Sequence, residues 1–158
     1  MIAEEVVKKL IEKGETISSM ESCTGGHFAD ALTNVEGASS VIEFAAVTYS
    51  NKYKVIMRVD KEIIEKYGVY SFATSRAMAK QITYFAESTY GIGITGKINK
   101  VDENNLMGED NVVYATIYNS KTHEYRDLKM KCPDKSRKVC KELLVNRILK
   151  RLLEIIGD

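Results

Sequence analysis

The sequence predicts an α/β fold: a single three-layer domain over residues 1–158, with a mixed, mostly parallel sheet and a C-terminal hairpin and helix. Three observations predict it. Amphipathic segments with a helical repeat alternate with short apolar segments typical of strands. The chain has 158 residues, 44% hydrophobic and 28% charged, which suits one domain with one core. Two alternating segments around a short polar turn near the C-terminus favour a hairpin, and hence a mixed sheet.

The first part of the chain predicts a helix, a strand, a glycine turn and a second helix. The first helix is expected to end at Gly14, and a strand is expected over residues 15–21. The turn over residues 22–26 leads into a helix over residues 27–32. This succession is the one that α/β proteins use to build sites at the carboxyl ends of strands. The apolar residues that recur in the first helix are Val6, Val7, Leu10 and Ile11.

The middle of the chain predicts a second strand and three further helices. The strand, over residues 41–49, is apolar enough to be buried on both faces. The helices are expected over residues 53–57, from residue 60 to residue 67, and from residue 71 to about residue 88. Side chains that accept hydrogen bonds from the first turn favour such starts. The expected caps are Asn51, Asp60 and Ser71.

The last third predicts three strands and a long helix. Strands are expected over residues 91–96, 111–118 and 124–130, with a polar, aperiodic segment over residues 97–110. The final helix follows Pro133. Its expected apolar stripe is Val139, Leu143, Leu144, Ile148, Leu152 and Ile155.

Composition limits the partners and the compartment. Lys and Arg number 23 against 22 Asp and Glu, so the net charge of +1 gives no excess for gripping nucleic acid or an anionic membrane. The three cysteines are an odd number at irregular spacing, which favours a reducing cytoplasm over a disulfide framework. The N-terminus has no targeting signal, and no apolar run is long enough to span a bilayer. A cytoplasmic location, with neither nucleic acid nor a membrane as partner, is therefore expected.

The motifs of metal and cofactor chemistry are missing from the sequence. There are two histidines and neither a CxxC pair nor an HExxH segment, so no metal site is predicted. No GxGxxG or GxxxxGK[ST] segment opens a helix, and GxSxG is absent as well. We therefore expect chemistry without a metal or another cofactor.

The best candidate for a site is Glu21-Ser-Cys-Thr-Gly-Gly26. A strand-to-helix turn directs backbone N–H groups at one point and adds the positive end of a helix. Ser22 in such a turn can attack a carbonyl carbon while the amides hold the developing oxyanion. The alternative is ordinary turn and cap chemistry, which uses the same residue types. Cys23 is a rival nucleophile, although a small Cys beside a strand is more often a packing residue.

A nucleophilic serine needs a base, and the end of the second strand supplies candidates. Tyr49-Ser-Asn-Lys-Tyr-Lys54 brings hydroxyls and amines to the same edge of the sheet if the two strands are neighbours. A lysine can act as the base when desolvation leaves its amine neutral. The alternative for Lys52 and Lys54 is a solvated helix face. Thr95 and Gly96 end the third strand and bring a further hydroxyl to this edge.

Together these segments resemble a known family. In order and spacing, residues 21–26, 49–54, 68–71 and 95–96 are similar to the C-terminal domain of the competence/damage-inducible CinA proteins, the nicotinamide-mononucleotide deamidase family. The resemblance covers nearly the whole chain and implies a metal-independent amidohydrolase. Such an enzyme converts the carboxamide of nicotinamide mononucleotide to a carboxylate and releases ammonia. The resemblance also implies a homo-oligomer, and a stand-alone chain without the larger N-terminal domain of full-length members.

The resemblance also implies roles for individual residues. Ser22 would be the nucleophile, Lys54 its base and Tyr49 part of their hydrogen-bonding network. Arg137 would contact the substrate; it lies near the family's late arginine, where Ser136 replaces the usual acidic neighbour. The residues expected to bind the substrate or shape its pocket are Cys23, Thr24, Gly25, Gly26, Asn51, Thr95 and Gly96.

The segment after Gly96 departs from the family pattern. The family continues with a Gly-Pro-Gly-rich loop, whereas this chain has Lys97-Ile-Asn-Lys100. Losing the glycines removes positions where a backbone can approach a phosphate, and Lys97 and Lys100 can supply point charges instead. Two functions follow: the amidohydrolase, or a catalytically silent nucleotide-binding or regulatory module on the same fold. The amidohydrolase requires Oγ of Ser22 within about 4 Å of Nζ of a buried Lys54.

Overall fold

The structure is a computed structural model, and it describes residues 1–99 and 109–157. In this part of the chain the helices are α1 (Ile2–Lys13), α2 (His27–Thr33), α3 (Asn51–Ile56), α4 (Lys61–Tyr67), α5 (Phe72–Ala86) and α6 (Arg137–Gly157). The strands are β1 (Ile17–Glu21), β2 (Ile42–Val47), β3 (Tyr90–Gly96), β4 (Val112–Asn119) and β5 (Glu124–Lys131). A short 3₁₀ turn, Ala38–Ser40, precedes β2. The order of elements is the one that the sequence predicts.

The five strands form one mixed sheet in the order β2-β1-β3-β4-β5. β1 pairs in parallel with both β2 and β3, β4 pairs antiparallel with β3, and β5 pairs antiparallel with β4. Among the described strands, β4 alone therefore runs against the direction of the others. The carboxyl ends of β1, β2 and β3 meet at one edge of the sheet, which is where α/β proteins place their sites.

Helices cover both faces of the sheet, so the three-layer prediction is confirmed. On one face, α1, α2 and α6 pack in a large apolar cluster that includes Leu10, Phe28, Ile92 and Ile148. On the other face, α5 packs in a smaller cluster with Met20 of β1. Short helices with apolar faces gain most of their stability from such packing.

The helix α5 lies unusually close to β3, and two glycines make this possible. A methyl group on Gly93 would lie 2.2 Å from the carbonyl oxygen of Ser75. A methyl group on Gly91 would lie 2.5 Å from the carbonyl oxygen of Ala79. Both distances are below van der Waals contact, so the backbone of β3 must be bare where the helix crosses it.

Several predicted helix ends are confirmed. Gly14 ends α1 with a positive φ of 63°. The side chain of Asp60 accepts a hydrogen bond from the amide of Glu62 at the start of α4, and Ser71 accepts one from Thr74 at the start of α5. The expected cap at Asn51 is wrong: Ser50 caps α3 by accepting a hydrogen bond from the amide of Tyr53.

The prediction that the second strand is buried on both faces is wrong. β2 is the edge strand of the sheet, and of its six residues only Ile42 is buried. The exposed side chains include Phe44, which contacts the exposed ring of Phe85 of α5 with 5.0 Å between centroids. Apolar content alone does not distinguish an edge strand from a central one, because both are rich in the same residue types.

The apolar stripe of α6 is rotated from the predicted one. Leu144, Ile148 and Leu152 are buried as expected, whereas Val139 is 37% and Leu143 49% exposed. Cys140 and Leu149 are buried in their place. Neighbouring apolar residues in this helix fit more than one stripe of period 3.6, so the packing partner decides which one is buried.

The described part of the chain contains no helix long and apolar enough to cross a membrane. The three cysteines, Cys23, Cys132 and Cys140, are free and buried. This agrees with the prediction that the cysteines form no disulfide framework.

Candidate active site

The side chains of Ser22 and Lys54 meet at the carboxyl edge of the sheet. Ser22 directly follows β1, and its amide donates to the carbonyl oxygen of Ile94 at 3.0 Å, which extends the pairing with β3. Lys54 lies in α3, which follows β2. Its Nζ is 3.1 Å from Oγ of Ser22 and 2.7 Å from the carbonyl oxygen of Thr48. The contact lies within the 4 Å expected from the sequence.

Lys54 is a buried lysine, with only 1% of the residue exposed. Burial lowers its pKa from 10.5 to about 8, because the charged amine loses its hydration, while the nearby Cys23 opposes this shift. Roughly a tenth of the amine is therefore neutral at neutral pH, against far less than 1% for an exposed lysine. The alternative, a solvated helix face, applies to Lys52, which is exposed, and does not apply to Lys54, which is buried.

The turn after β1 is organised by a residue to which sequence reasoning gave no role. Glu21 is fully buried, and its Oε1 accepts hydrogen bonds from the hydroxyl of Thr24 at 2.6 Å and the amide of Phe28 at 2.9 Å. Its Oε2 accepts from the amide of Ala29 at 3.0 Å. The carboxylate therefore occupies the N-terminus of α2. The expectation that the positive end of this helix adds to the site is wrong, because the amides of its first turn already donate to Glu21.

Backbone amides closer to the nucleophile remain available. Within the described ranges, the N–H groups of Cys23, Thr24 and Gly26 donate to no acceptor. Gly25 and Gly26 have positive φ values of 60° and 99°, the conformation that the turn requires. Successive amides in a turn of this kind form a concavity that attracts anions. The amides that can hold an oxyanion are thus those of the turn itself.

The thiol of Cys23 is poorly suited to be the nucleophile. Its pKa is raised to about 12, mainly by burial and also by Cys132 and Glu21, although Lys54 and Arg137 act to lower it. A thiol needs its thiolate form to attack, and this form is scarce at such a pKa. Beside Ser22, Cys23 packs in the apolar cluster under α2.

Tyr49 does not join the contact between serine and lysine. The residue is 66% exposed, and among the described residues its hydroxyl forms no hydrogen bond with Ser22 or Lys54. The atom that takes the expected place of Tyr49 is the carbonyl oxygen of Thr48. Asn51 is half-buried at the first turn of α3, on the same edge of the sheet.

The remaining predicted site residues serve the fold in this structure. The hydroxyl of Thr95 is buried and donates to the carbonyl oxygen of Val69 at 3.0 Å. A methyl group on Gly96 would lie 2.5 Å from Cα of Val113, so this glycine lets β3 pair closely with β4. Arg137 donates to the carbonyl oxygen of Ile98. In the structure Thr95 and Gly96 thus serve the packing of β3, and the exposed Arg137 holds a backbone carbonyl oxygen.

The segment that departs from the family pattern is described only in part. Lys97 is buried, its Nζ lies 3.3 Å from Oδ1 of Asp110, and it lies 5.1 Å from the centre of the Tyr70 ring. The expected charge at Lys100 lies outside the described residues, as do residues 101–108. In the described ranges no group of three or more His, Cys, Asp or Glu side chains is placed to hold a metal ion.

Sequence reasoning missed three contributors that the structure reveals. Glu21 carried a signal, since a carboxylate that ends a buried strand seven residues before the amide of Phe28 can cap the helix that follows. The carbonyl oxygen of Thr48 carried none, because every residue has one. The third contributor is Lys141 of α6, whose Nζ would lie 3.3 Å from a methyl group on Gly25.

Comparison with known proteins decides the family. The sequence model of the CinA C-terminal domain matches residues 1–156. The chain belongs to the CinA C-terminal domain family. The resemblance inferred from the motifs is therefore confirmed.

Curated relatives of this CinA C-terminal domain match part of the chain. A putative competence-damage inducible protein of Clostridium perfringens is 48% identical over 95 residues, and one of a Thermoanaerobacter strain is 42% identical over 95 residues. These matches cover 59% of this chain and 23% of each relative. The matched part thus spans about a quarter of the length of these relatives.

Solved CinA structures share the fold over the whole chain. The competence/damage-inducible protein of Agrobacterium tumefaciens has a TM-score of 0.86 and 25% identity, and covers 100% of this chain and 97% of its own. A CinA superfamily protein of Klebsiella pneumoniae has a TM-score of 0.89 and 21% identity, and covers 99% of this chain and 96% of its own. The layered α/β domain with its five-stranded mixed sheet is thus the fold of the CinA C-terminal domain.

Proposed function

We propose that this chain is a metal-independent amidohydrolase that hydrolyses the carboxamide of nicotinamide mononucleotide to nicotinate mononucleotide and ammonia. The observation that carries the proposal is the 3.1 Å contact between Oγ of Ser22 and Nζ of a buried Lys54 whose pKa is lowered. A nucleophile paired with a base of this kind is the arrangement that acyl transfer requires. The substrate is taken from the family resemblance, and the reaction type from the site.

The first half of the reaction uses the neutral amine. Two N–H bonds and one lone pair are available on Nζ, and the contact with the carbonyl oxygen of Thr48 at 2.7 Å leaves the lone pair for the hydroxyl of Ser22. Oγ bonds to the carboxamide carbon while its proton moves to Nζ. The N–H groups of Cys23 and Thr24 supply hydrogen bonds to the oxyanion that forms.

The second half returns the proton and releases the product. The C–N bond breaks as the ammonium of Lys54 gives its proton to the departing nitrogen, so ammonia leaves and an acyl ester on Ser22 remains. A water molecule then gives a proton to Nζ and attacks the ester carbon. Oγ of Ser22 takes that proton from Nζ as the carboxylic acid leaves, and the site is restored. The acid then loses its remaining proton to solvent and becomes the carboxylate.

The test is ammonia release from nicotinamide mononucleotide. We expect Ser22→Ala and Lys54→Met each to lower the rate by at least about 100-fold, since each removes the nucleophile or the base. Lys52→Met is the matched control, because Lys52 lies in the same helix and is exposed. Its rate is expected to equal that of the wild-type protein.

The silent binding module is the other outcome of the same experiment. It is favoured if the wild-type protein binds nicotinamide mononucleotide in a calorimeter yet releases no ammonia from it or from other pyridine carboxamide nucleotides. Retention of the wild-type rate by folded Ser22→Ala would contradict the amidohydrolase directly.

A further inference from the structure

We infer that Lys141 forms an anion subsite at the turn over residues 22–26, which carries Ser22, and that it holds the phosphate monoester of the substrate. The inference rests on the proposed function in one respect: it assigns a residue to a part of the proposed substrate that does not react. It concerns a side chain of α6, an element that contributes nothing to the pair formed by Ser22 and Lys54.

The position of Lys141 is the first argument. A methyl group on Gly25 would lie 3.3 Å from Nζ of Lys141, so the ammonium group rests against the bare backbone of this glycine. Gly25 belongs to the same turn as the nucleophile, because its amide donates to the carbonyl oxygen of Ser22 at 2.9 Å. The cation is therefore held at the turn and not directed away from it, although Lys141 is only half-buried.

The charge of Lys141 is the second argument. Over residues 1–99 and 109–157 it takes part in no ion pair and no side-chain hydrogen bond. The nearby carboxylate of Glu21 already accepts three hydrogen bonds, from Thr24, Phe28 and Ala29, and forms no ion pair with Lys141. A partly desolvated ammonium without a carboxylate partner gains most from an anion that arrives with a ligand.

The neighbouring cation is already engaged, which makes Lys141 the better candidate. Arg137 lies one turn earlier in α6 and was expected from the family pattern to contact the substrate. Its guanidinium instead donates to the carbonyl oxygen of Ile98. Arg137 also lies near enough to lower the pKa of the Cys23 thiol, but its guanidinium is held by this carbonyl oxygen, whereas Nζ of Lys141 rests against Gly25 of the turn.

The chemistry of the substrate decides which anion Lys141 would take. In nicotinamide mononucleotide the pyridinium is cationic and the reacting carboxamide is neutral, so the phosphate monoester is its only anionic group. A lysine serves as a point charge for phosphate, without the bidentate geometry of arginine. The subsite would thus select a mononucleotide over the nucleoside that lacks the phosphate.

The experiment compares two substrates on three variants. We expect Lys141→Met to raise KM for nicotinamide mononucleotide about 10- to 100-fold, with kcat changed less than about threefold, since one charge-assisted hydrogen bond is lost. KM for nicotinamide riboside should stay unchanged. Lys141→Arg should restore most of the affinity for the mononucleotide. Lys138→Met, an exposed lysine of the same helix, is the control and should behave as wild type.

A second measurement keeps the inference testable without turnover. Binding of nicotinamide mononucleotide to Ser22→Ala protein is measured by calorimetry, with and without Lys141→Met. A loss of at least tenfold in affinity supports the subsite even if the wild-type protein releases no ammonia. Equal affinity in the two proteins, no binding by either, or an equal rise in KM for the mononucleotide and the riboside would overturn it.

Discussion

Nζ of Lys54 lies 3.1 Å from Oγ of Ser22, and the lysine is almost completely shielded from water. The two residues are 32 positions apart in the sequence and come from different elements, the end of β1 and the middle of α3. A lysine in a six-residue helix is buried here while Lys52 and Tyr53 beside it are exposed. A buried cation is costly for stability, and perturbed buried groups of this kind cluster at functional sites.

The pKa of Lys54 sets the expected pH dependence of ammonia release. In the proposed mechanism the neutral amine is the active form, and its fraction rises with pH until the pH passes the pKa of about 8. We expect the initial rate to increase about tenfold per pH unit below pH 7 and to level off above pH 8.5. Initial rates between pH 6 and pH 9.5 test this. A rate that falls between pH 7 and pH 9 would contradict the role of Lys54 as the base.

Replacing Lys54 should stabilise the folded protein. Its folded pKa of about 8 lies below the unfolded value of 10.5, so below pH 8 the folded state carries a buried charge at a cost of about 3 kcal/mol. Between pH 8 and pH 10.5 the unfolded state binds more protons, and the stability of the wild type rises with pH. We expect Lys54→Met to gain about 1–3 kcal/mol at pH 7 and less at pH 10. Urea unfolding at the two pH values, with Lys52→Met as the control, measures the difference.

Glu21 should be essential for the stability of the turn. Its two carboxylate oxygens accept three hydrogen bonds in a fully buried setting. In Glu21→Gln one oxygen becomes an amide donor that faces another donor, which should cost about 2–4 kcal/mol in the free energy of unfolding. Glu43→Gln on the exposed edge strand is the matched control. Chemical denaturation that gives both variants the same midpoint would refute this account.

Gly93 should tolerate no side chain. A methyl group there would lie 2.2 Å from the carbonyl oxygen of Ser75, so α5 would have to move away from β3. We expect Gly93→Ala to cost more than about 3 kcal/mol, or to prevent folding. Gly157→Ala, which meets no atom within 4 Å, should change the midpoint of thermal unfolding little. Circular dichroism during heating gives both values.

Cys23 should resist alkylation in the folded protein. Its thiol is buried and its pKa is raised to about 12 by desolvation, so little thiolate is present at pH 8. With iodoacetamide at this pH, mass spectrometry should find Cys23 modified far more slowly in the native protein than in the same protein in guanidinium. Fast and selective labelling of native Cys23 would revive a role for the thiol as a nucleophile.

Much of the fold could be predicted because local signals agreed with the packing. Gly14, Asp60 and Ser71 mark helix ends through backbone conformation or capping, both of which are local properties. The place of β2 in the sheet could not be predicted, since strand order depends on contacts between distant segments. The same holds for α6, where the surface against which the helix packs decided between Val139 and Cys140.

The candidate site shows the same division. The residues alone could bring Ser22 together with the amines of Lys52 and Lys54 if the two predicted strands were neighbours, and the family resemblance singled out Lys54. Tyr49 was grouped with them by the same reasoning, yet its side chain is exposed. Ser22 was predicted as a partner of Lys54, but the second partner could not be: it is the backbone carbonyl oxygen of Thr48, whose position is set by the turn between β2 and α3.

Hydrogen bonds continue the sheet beyond the carboxyl ends of β1 and β2. The amide of Thr48 donates to the carbonyl oxygen of Glu21 at 2.8 Å. Glu21 directly precedes Ser22, and the carbonyl oxygen of Thr48 accepts a hydrogen bond from Nζ of Lys54. The backbone segments beside the two residues of the pair are therefore linked to each other. The entropy of aligning base and nucleophile is therefore lost during folding and not during each turnover. We therefore expect the activity and the folded structure to be lost at the same temperature, because the pair stays aligned as long as the sheet is intact.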